Sequence, residues 1–207
     1  MLLPINDTNP EKRKIQKAVE MLRDGAVIAY PTGTVYGIGC DLTNKKALER
    51  VYQIKGIDRK KPLSFICPDL SEIARFAYVD NTTYRTLKRL VPGPYTFILE
   101  ATKEVPRLVL RKRNTVGIRV PDHPVAQALL ESLGTPIIST SASKEGRVIT
   151  DPEQIEKVFP ALDMVLDAGM GNDLPSTILA FSSNGEVEVI REGAGSLDGL
   201  VSREEEQ

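Results

Sequence analysis

The chain of 207 residues has no tryptophan, one histidine and two cysteines, Cys40 and Cys67. Two cysteines cannot form a disulfide framework, and they fit a reducing, cytoplasmic setting. One histidine leaves little from which to build a zinc site of Cys and His ligands, so no metal-ligating residue is predicted. Aromatic residues make up 5% of the chain, which argues against reading single-stranded nucleic acid by base stacking.

Long apolar segments are also missing from the sequence. No apolar run approaches the roughly 18 residues of a membrane-spanning helix. The first residues show neither the basic region nor the apolar stretch of a secretion signal, so no membrane partner is expected. With 41% hydrophobic and 27% charged residues the composition is that of a globular protein. No repeat or linker divides the chain, which predicts a single domain over residues 1–207 that ends in an acidic tail.

The net charge of −1 conceals an uneven distribution of charge. Residues 45–119 carry 17 basic and 7 acidic side chains, a net of +10, and the remainder of the chain carries −11. Such a block favours a surface or cleft that attracts an anion, for example a nucleotide or a nucleic acid. The alternative is that folding mixes the two blocks over the surface.

Apolar periodicity predicts helices that alternate with strands. Helices are expected around residues 15–22, 47–52, 84–90, 125–129 and 155–159, and strands at 26–30, 63–67, 95–101, 116–120, 136–140 and 164–166. Asn184-Gly185, between the apolar runs 177–181 and 186–190, predicts a terminal hairpin. The pattern is typical of an α/β fold with a mixed sheet. Residues 144–150 are expected to form a loop.

Four segments could carry chemistry, and each also has an ordinary structural explanation. Residues 31–40 form a Gly- and Thr-rich stretch after a buried strand, which could bind an anion or be a turn. Residues 55–62 form a basic loop that could hold phosphates or be solvated. Arg119 interrupts an apolar strand, so if buried it needs either an ion pair or an anionic ligand. The hydroxyl cluster at 139–143 could face a ligand or cap a helix.

His123 could serve as the base of a Ser-His-Asp triad. No nucleophile-elbow motif accompanies it, so a loop residue is the preferred interpretation, and no covalent nucleophile is predicted.

Seven segments, in this order along the chain, together resemble the Sua5/YrdC/YciO family of L-threonylcarbamoyladenylate synthases. They are residues 31–39, 55–63, 92–96, 117–121, 139–143, 175–178 and 191–193, and the resemblance covers about residues 9–195. The segments 75–81, 95–99 and 102–107 are most similar to the YciO branch.

The resemblance implies a YrdC-like twisted open mixed sheet with flanking helices around a large, basic, concave cleft. It also implies a nucleotidyltransferase reaction in which ATP, L-threonine and bicarbonate give threonylcarbamoyl-AMP and pyrophosphate, for t6A37 modification of tRNA. ATP is then a substrate, accompanied by Mg²⁺. By position, the residues implied for L-threonine are Thr34, Arg119 and Ser176, and those implied for the nucleotide are Lys55, Arg59, Thr115, Ser141, Ser143 and Arg191.

The sequence departs from the synthase pattern at five positions. The synthases have Glu, Arg, Asn, His and Asn where this chain has Gly33, Ile57, Lys61, Ile66 and Ser143. Arg59 lies two residues beyond the missing arginine and could substitute for it. The alternative to a synthase is therefore a YciO-type protein that binds RNA (tRNA or double-stranded RNA) or nucleotide without this activity.

Overall fold

The computed structural model describes residues 1–110, 114–182 and 186–200. Its strands are β1 Leu2–Pro4, β2 Ile28–Tyr30, β3 Gly37–Asp41, β4 Ser64–Ile66, β5 Tyr95–Glu100, β6 Thr115–Arg119, β7 Ile137–Ser141, β8 Ser143–Lys144, β9 Arg147–Val148, β10 Met164–Asp167, β11 Thr177–Phe181 and β12 Val187–Arg191. Its helices are α1 Lys12–Arg23, α2 Lys45–Lys55, α3 Leu70–Phe76, α4 Asn81–Leu90, α5 Arg107–Leu110, α6 Pro124–Leu133 and α7 Pro152–Val158.

Within these residues, ten strands form one mixed sheet in the order β1-β10-β2-β3-β7-β4-β6-β5-β11-β12. Pairing is parallel at β1–β10, β10–β2, β4–β6 and β5–β11, and antiparallel elsewhere. The predicted α/β class with a mixed sheet and flanking helices is confirmed. The strands of the terminal hairpin pair as predicted, whereas its turn at 184–185 and the acidic tail at 203–207 lie outside the described residues.

Local sequence signals set the ends of the helix that carries Lys55. The Asn44 side chain accepts a hydrogen bond of 3.0 Å from the backbone N–H of Ala47, which caps α2. Gly56 ends the helix with a φ of 59°, a left-handed conformation that glycine adopts without strain. Lys55 is therefore the last residue of α2.

Two expectations for loops are wrong. The Gly-rich stretch is a loop only as far as Tyr36, because residues 37–41 form β3 in the middle of the sheet. Glycine is required there by close packing: a Cβ at Gly39 would lie 2.5 Å from the carbonyl oxygen of Ile138. Residues 144–150 contain Lys144 of β8 and all of β9, which form a small hairpin, and the Ile149 N–H donates to the carbonyl of Ala142.

The two faces of the sheet have different roles. One face carries the large apolar side chains of the central strands, such as Phe65, Phe97 and Ile118, and packs against α2, α3 and α4. The opposite face is covered by α1 and α6 only over β2, β10 and the adjoining ends of β4 and β7. Since side chains alternate along a strand, the uncovered part presents the alternate residues of the same central strands.

Candidate active site

A cleft of about 290 Å³ lies on the uncovered face of the sheet. Its floor combines small residues of neighbouring strands with the larger Ile66, Ile98 and Ile178. Ser139, Ser64 and Gly117 are direct register partners across β7, β4 and β6. The walls come from the loop before β3, the chain before β4 and the segment before β11. The lining residues are Thr32, Thr34, Val35, Tyr36, Gly37, Lys61, Pro62, Leu63, Ser64, Ile66, Thr96, Ile98, Gly117, Arg119, Ser139, Thr140, Ser141, Pro175, Ser176, Ile178 and Arg191.

Arg119 is the most deeply buried cation of the cleft, with 6% of its surface exposed. One guanidinium nitrogen donates to the hydroxyl of Thr34 at 2.6 Å and to that of Thr32 at 3.2 Å. The other donates to the carbonyl of Thr32 at 2.7 Å. Its Nε has no hydrogen-bond partner among the described residues. These contacts fix Arg119 against the loop before β3.

The charge of Arg119 is not neutralised within the described residues, where no carboxylate lies at ion-pair distance from it. Burial, with repulsion from Arg191, lowers the pKa of Arg119 to about 10. The guanidinium is still charged near neutral pH. The sequence left two explanations for a buried Arg119, an ion pair or an anionic ligand. No ion pair is observed among the described residues, which leaves the anionic ligand.

A second polar group joins β5 and β12 to Ser176, the residue just before β11. The Ser176 hydroxyl lies 2.8 Å from that of Thr96. Arg191 donates to the Ser176 carbonyl at 2.6 and 3.2 Å and to its hydroxyl at 3.3 Å. Burial lowers the pKa of Arg191. Arg191, like Arg119, is therefore held at the cleft by hydrogen bonds to neutral groups.

Lys55 lies beside the cleft, and residues of the fold already bind its ammonium group. Nζ donates to the carbonyl of Ser141 at 2.9 Å and to that of Ser143, and it lies 4.7 Å from the ring centre of Phe159. Burial and the nearby charge of Lys61 lower the pKa of Lys55 to about 8. Lys55 thereby ties α2 to the turn between β7 and β8.

The remaining predicted nucleotide residues are not all in the lining. Arg59 lies outside it and forms an ion pair of 2.7 Å with Glu49. Thr115 is exposed at the start of β6, four residues from Arg119. Ser143 also lies outside the lining, and its hydroxyl is 3.3 Å from that of Ser141, which does line the cleft. The roles of all these residues in binding stay predictions.

The departures from the synthase pattern fall at different places. Lys61 and Ile66 line the cleft, and Ile66 also packs in the apolar cluster beneath α6. Ile57 packs against the main core. Gly33 has a φ of +82°, and a Cβ there would lie 2.4 Å from the carbonyl oxygen of Asp122, so this backbone does not accept another residue without rearrangement.

His123 is outside the cleft and has a structural role. Its Nδ1 accepts from the backbone N–H of Val125 at 3.2 Å, which caps α6. Its Nε2 lies 2.8 Å from a carboxylate oxygen of Asp7. Both ring nitrogens are therefore engaged, and the triad alternative has no support.

Ser64 and Thr96 were not singled out individually from the sequence, whereas Thr32 and Ser139 fall within the Gly- and Thr-rich stretch and the hydroxyl cluster named there. The available signal was the period-two alternation of small and large residues, as in the strand segments around Gly117 and Ser139. Among the described residues, no group of three or more His, Cys, Asp or Glu side chains could hold a metal ion. No helix in that part of the chain is long and apolar enough to cross a membrane.

Comparison with known proteins identifies relatives of this chain. The family model Sua5_yciO_yrdC, described as "Telomere recombination", matches residues 20–193. Escherichia coli YciO, an uncharacterized protein, is 42% identical over 197 residues, which cover 93% of this chain and 95% of YciO. Its crystal structure superposes with a TM-score of 0.92 at 40% identity, over 97% of this chain and 99% of that one. These matches include the large twisted mixed sheet.

Two further relatives have informative names. The threonylcarbamoyl-AMP synthase of Hydrogenovibrio crunogenus is 37% identical over 169 residues, covering 79% of this chain and 91% of that protein. The crystal structure of P. abyssi Sua5, complexed with L-threonine, has a TM-score of 0.86 at 26% identity and covers 93% of this chain. This chain corresponds to 57% of that Sua5 chain.

Proposed function

The chain belongs to the Sua5/YciO/YrdC family, and we propose that it catalyses the reaction of ATP, L-threonine and bicarbonate to threonylcarbamoyl-AMP and pyrophosphate. The product would serve t6A37 modification of tRNA. The observation that carries the proposal is Arg119, a buried cation with no carboxylate partner among the described residues, in the wall of a cleft. Relatives named threonylcarbamoyl-AMP synthase support the choice of reaction.

Arg119 would hold the carboxylate of threonine. A guanidinium binds a carboxylate through paired hydrogen bonds, and a low-dielectric site strengthens them. Thr34 holds one guanidinium nitrogen at 2.6 Å, so the group is oriented before the ligand arrives. Ser176, fixed by Thr96 and Arg191, offers a further hydroxyl to the amino acid.

The nucleotide would occupy the rest of the cleft. Three lining residues are cationic, namely Lys61, Arg119 and Arg191, and the described lining contains no Asp or Glu. In the reaction, an oxygen of the threonine carbamate bonds to the α-phosphorus as the bond to pyrophosphate breaks. Fixed cations stabilise the negative charge on the leaving pyrophosphate without reorganisation. The protein contributes positioning and charge, with no covalent nucleophile.

The cleft lining does not fit a magnesium ion held by the protein. Mg²⁺ prefers carboxylate and phosphate oxygens, whereas the described lining offers hydroxyls and cations. We therefore assign no step to a protein-bound ion, and any Mg²⁺ would be carried by the nucleotide phosphates.

Release of pyrophosphate tests the proposal. The purified chain is incubated with ATP, Mg²⁺, L-threonine and bicarbonate, and each component is omitted in turn. We expect release that requires both threonine and bicarbonate and that falls at least about 30-fold in Arg119→Ala, since truncating a buried charged partner costs about 2–5 kcal/mol. No release above the Arg119→Ala variant would refute the proposal.

A second candidate function is RNA binding without turnover. It is favoured by the apolar Ile66 and the basic Lys61, which line the cleft where synthases have His and Asn. In that case the logarithm of RNA affinity falls linearly with the logarithm of salt concentration, with a slope set by the number of phosphates neutralised. A flat slope rejects this candidate.

A further inference from the structure

Two lysines, Lys55 and Lys61, lie close enough for the charge of one to affect the other, yet the structure treats them differently. Lys55 ends α2, and its ammonium donates to two backbone carbonyls and lies over the ring of Phe159. Two of its three N–H donors are thus occupied by the fold itself.

Lys61 has the opposite arrangement. Its backbone is fixed, because its carbonyl accepts from the buried Tyr52 hydroxyl at 3.3 Å and its N–H donates to the Asp58 carbonyl at 2.9 Å. Its side chain lines the cleft. Its ammonium makes no hydrogen bond or ion pair with any residue that the structure describes. All three donors are therefore available to a ligand.

Lys61 and Arg119 belong to different parts of the cleft lining. Arg119 is buried in β6, and its guanidinium is held by the loop before β3. Lys61 is exposed and lies in the chain before β4, three residues ahead of Ser64. The two cations therefore offer separate contacts, one to a carboxylate held by Arg119 and one to a second anionic group.

We infer that Lys61, rather than Lys55, contacts the polyphosphate of the nucleotide, while Lys55 holds the turn after β7 in place. The inference rests on the proposed function and specifies which residue of the cleft recognises the leaving group. The synthases carry Asn at position 61. In this chain, the contact with the polyphosphate therefore comes from a lysine at a position where the synthases have a neutral side chain.

Calorimetric titration of the full chain with ATP, AMP and inorganic triphosphate tests the assignment. Lys61→Gln should weaken binding of ATP and of triphosphate about tenfold, the lower range for a hydrogen bond to a charged group. It should leave AMP affinity within about twofold of the parent chain. Lys60→Gln is the matched control, because Lys60 is the adjacent exposed lysine outside the lining, and it should leave all three affinities unchanged.

Lys55→Gln separates the two roles. We expect it to lower the thermal midpoint while the ratio of ATP to AMP affinity stays that of the parent chain. If Lys61→Gln keeps the parent ratio, the assignment is wrong, whether or not Lys55→Gln folds. If the ratio of ATP to AMP affinity falls in a folded Lys55→Gln variant but not in Lys61→Gln, the polyphosphate contact belongs to Lys55.

The outcomes also separate this assignment from the proposed function. Loss of ATP affinity in Lys61→Gln without any threonine-dependent pyrophosphate release keeps the assignment and refutes the synthase. Pyrophosphate release that is equally strong in Lys61→Gln, with unchanged ATP affinity, keeps the synthase and refutes the assignment. A parent chain that binds neither ATP nor triphosphate refutes both.

Discussion

Replacement of Arg119 by methionine should abolish carboxylate binding at little cost to the fold. Methionine keeps much of the side-chain length and removes the charge. In the folded protein, burial and Arg191 lower the pKa of Arg119 to about 10, which corresponds to about 3 kcal/mol against the charged form. That penalty disappears with the guanidinium.

The opposing cost comes from the oxygens that lose their donor. The buried carbonyl of Thr32 is left without the 2.7 Å hydrogen bond from Arg119, a loss of about 1–3 kcal/mol. The hydroxyls of Thr32 and Thr34 keep each other at 3.2 Å, and Thr32 keeps the carbonyl of Val35 at 2.8 Å. The two effects largely cancel, so the free energy of unfolding should change by no more than about 2 kcal/mol.

Urea unfolding measures the change in stability of Arg119→Met, and calorimetric titration with L-threonine measures its change in affinity. We expect a nearly unchanged midpoint together with a loss of threonine affinity of at least about 30-fold. Thr34→Val removes one hydrogen bond to the guanidinium and leaves its charge, so it should lose less threonine affinity than Arg119→Met. A loss of more than about 3 kcal/mol of stability in Arg119→Met would show that the guanidinium is a structural clamp, and the argument from its unpaired charge would fail.

Three further predictions concern the frame around the cleft. Burial lowers the pKa of His123, so the unfolded chain takes up a proton first and stability is lost as the pH falls through about 6.5; the single imidazole resonance in NMR should titrate below that value, and His123→Asn should abolish its share of the acid loss. Gly33→Ala should cost at least about 2 kcal/mol more in urea unfolding than Gly56→Ala, since both have positive φ but only a Cβ at Gly33 meets a backbone atom; equal losses would contradict this. Tyr36→Phe removes a hydroxyl that donates to a carbonyl at 2.8 Å and accepts from an N–H at 3.1 Å, so thermal or urea unfolding should show a loss of about 2 kcal/mol, and an unchanged midpoint would refute the role of that hydroxyl.

Local patterns were sufficient to predict most of the elements. The apolar spacing of Ala47, Leu48 and Val51 gives one buried face of α2, and the turn residues give its ends. The order of the strands could not be obtained in this way, because β3 is paired with β7, about a hundred residues away. Without that pairing, Gly37 and Gly39 look like a turn rather than a strand packed against its neighbours.

Without the family resemblance, the candidate site was predictable only where one residue is unusual by itself. Arg119 stands out because a cation interrupts an apolar strand. Lys55 and Lys61 are equivalent in a basic loop, and only the packing of α2 against the turn after β7 distinguishes them. The serine floor needed the sheet register, since Ser64 and Ser139 are partners across strands that the chain does not connect directly.

The different roles of the two faces of the sheet affect how such a protein can diverge in evolution. Phe65 and Ile118 anchor the core on one face, while their chain neighbours Ser64 and Gly117 form the cleft floor on the other. A substitution at a small floor residue of this kind therefore removes almost no core contact, and new ligand contacts can arise there with a small stability penalty. A fold of this kind can exchange its substrate one side chain at a time while its scaffold stays intact.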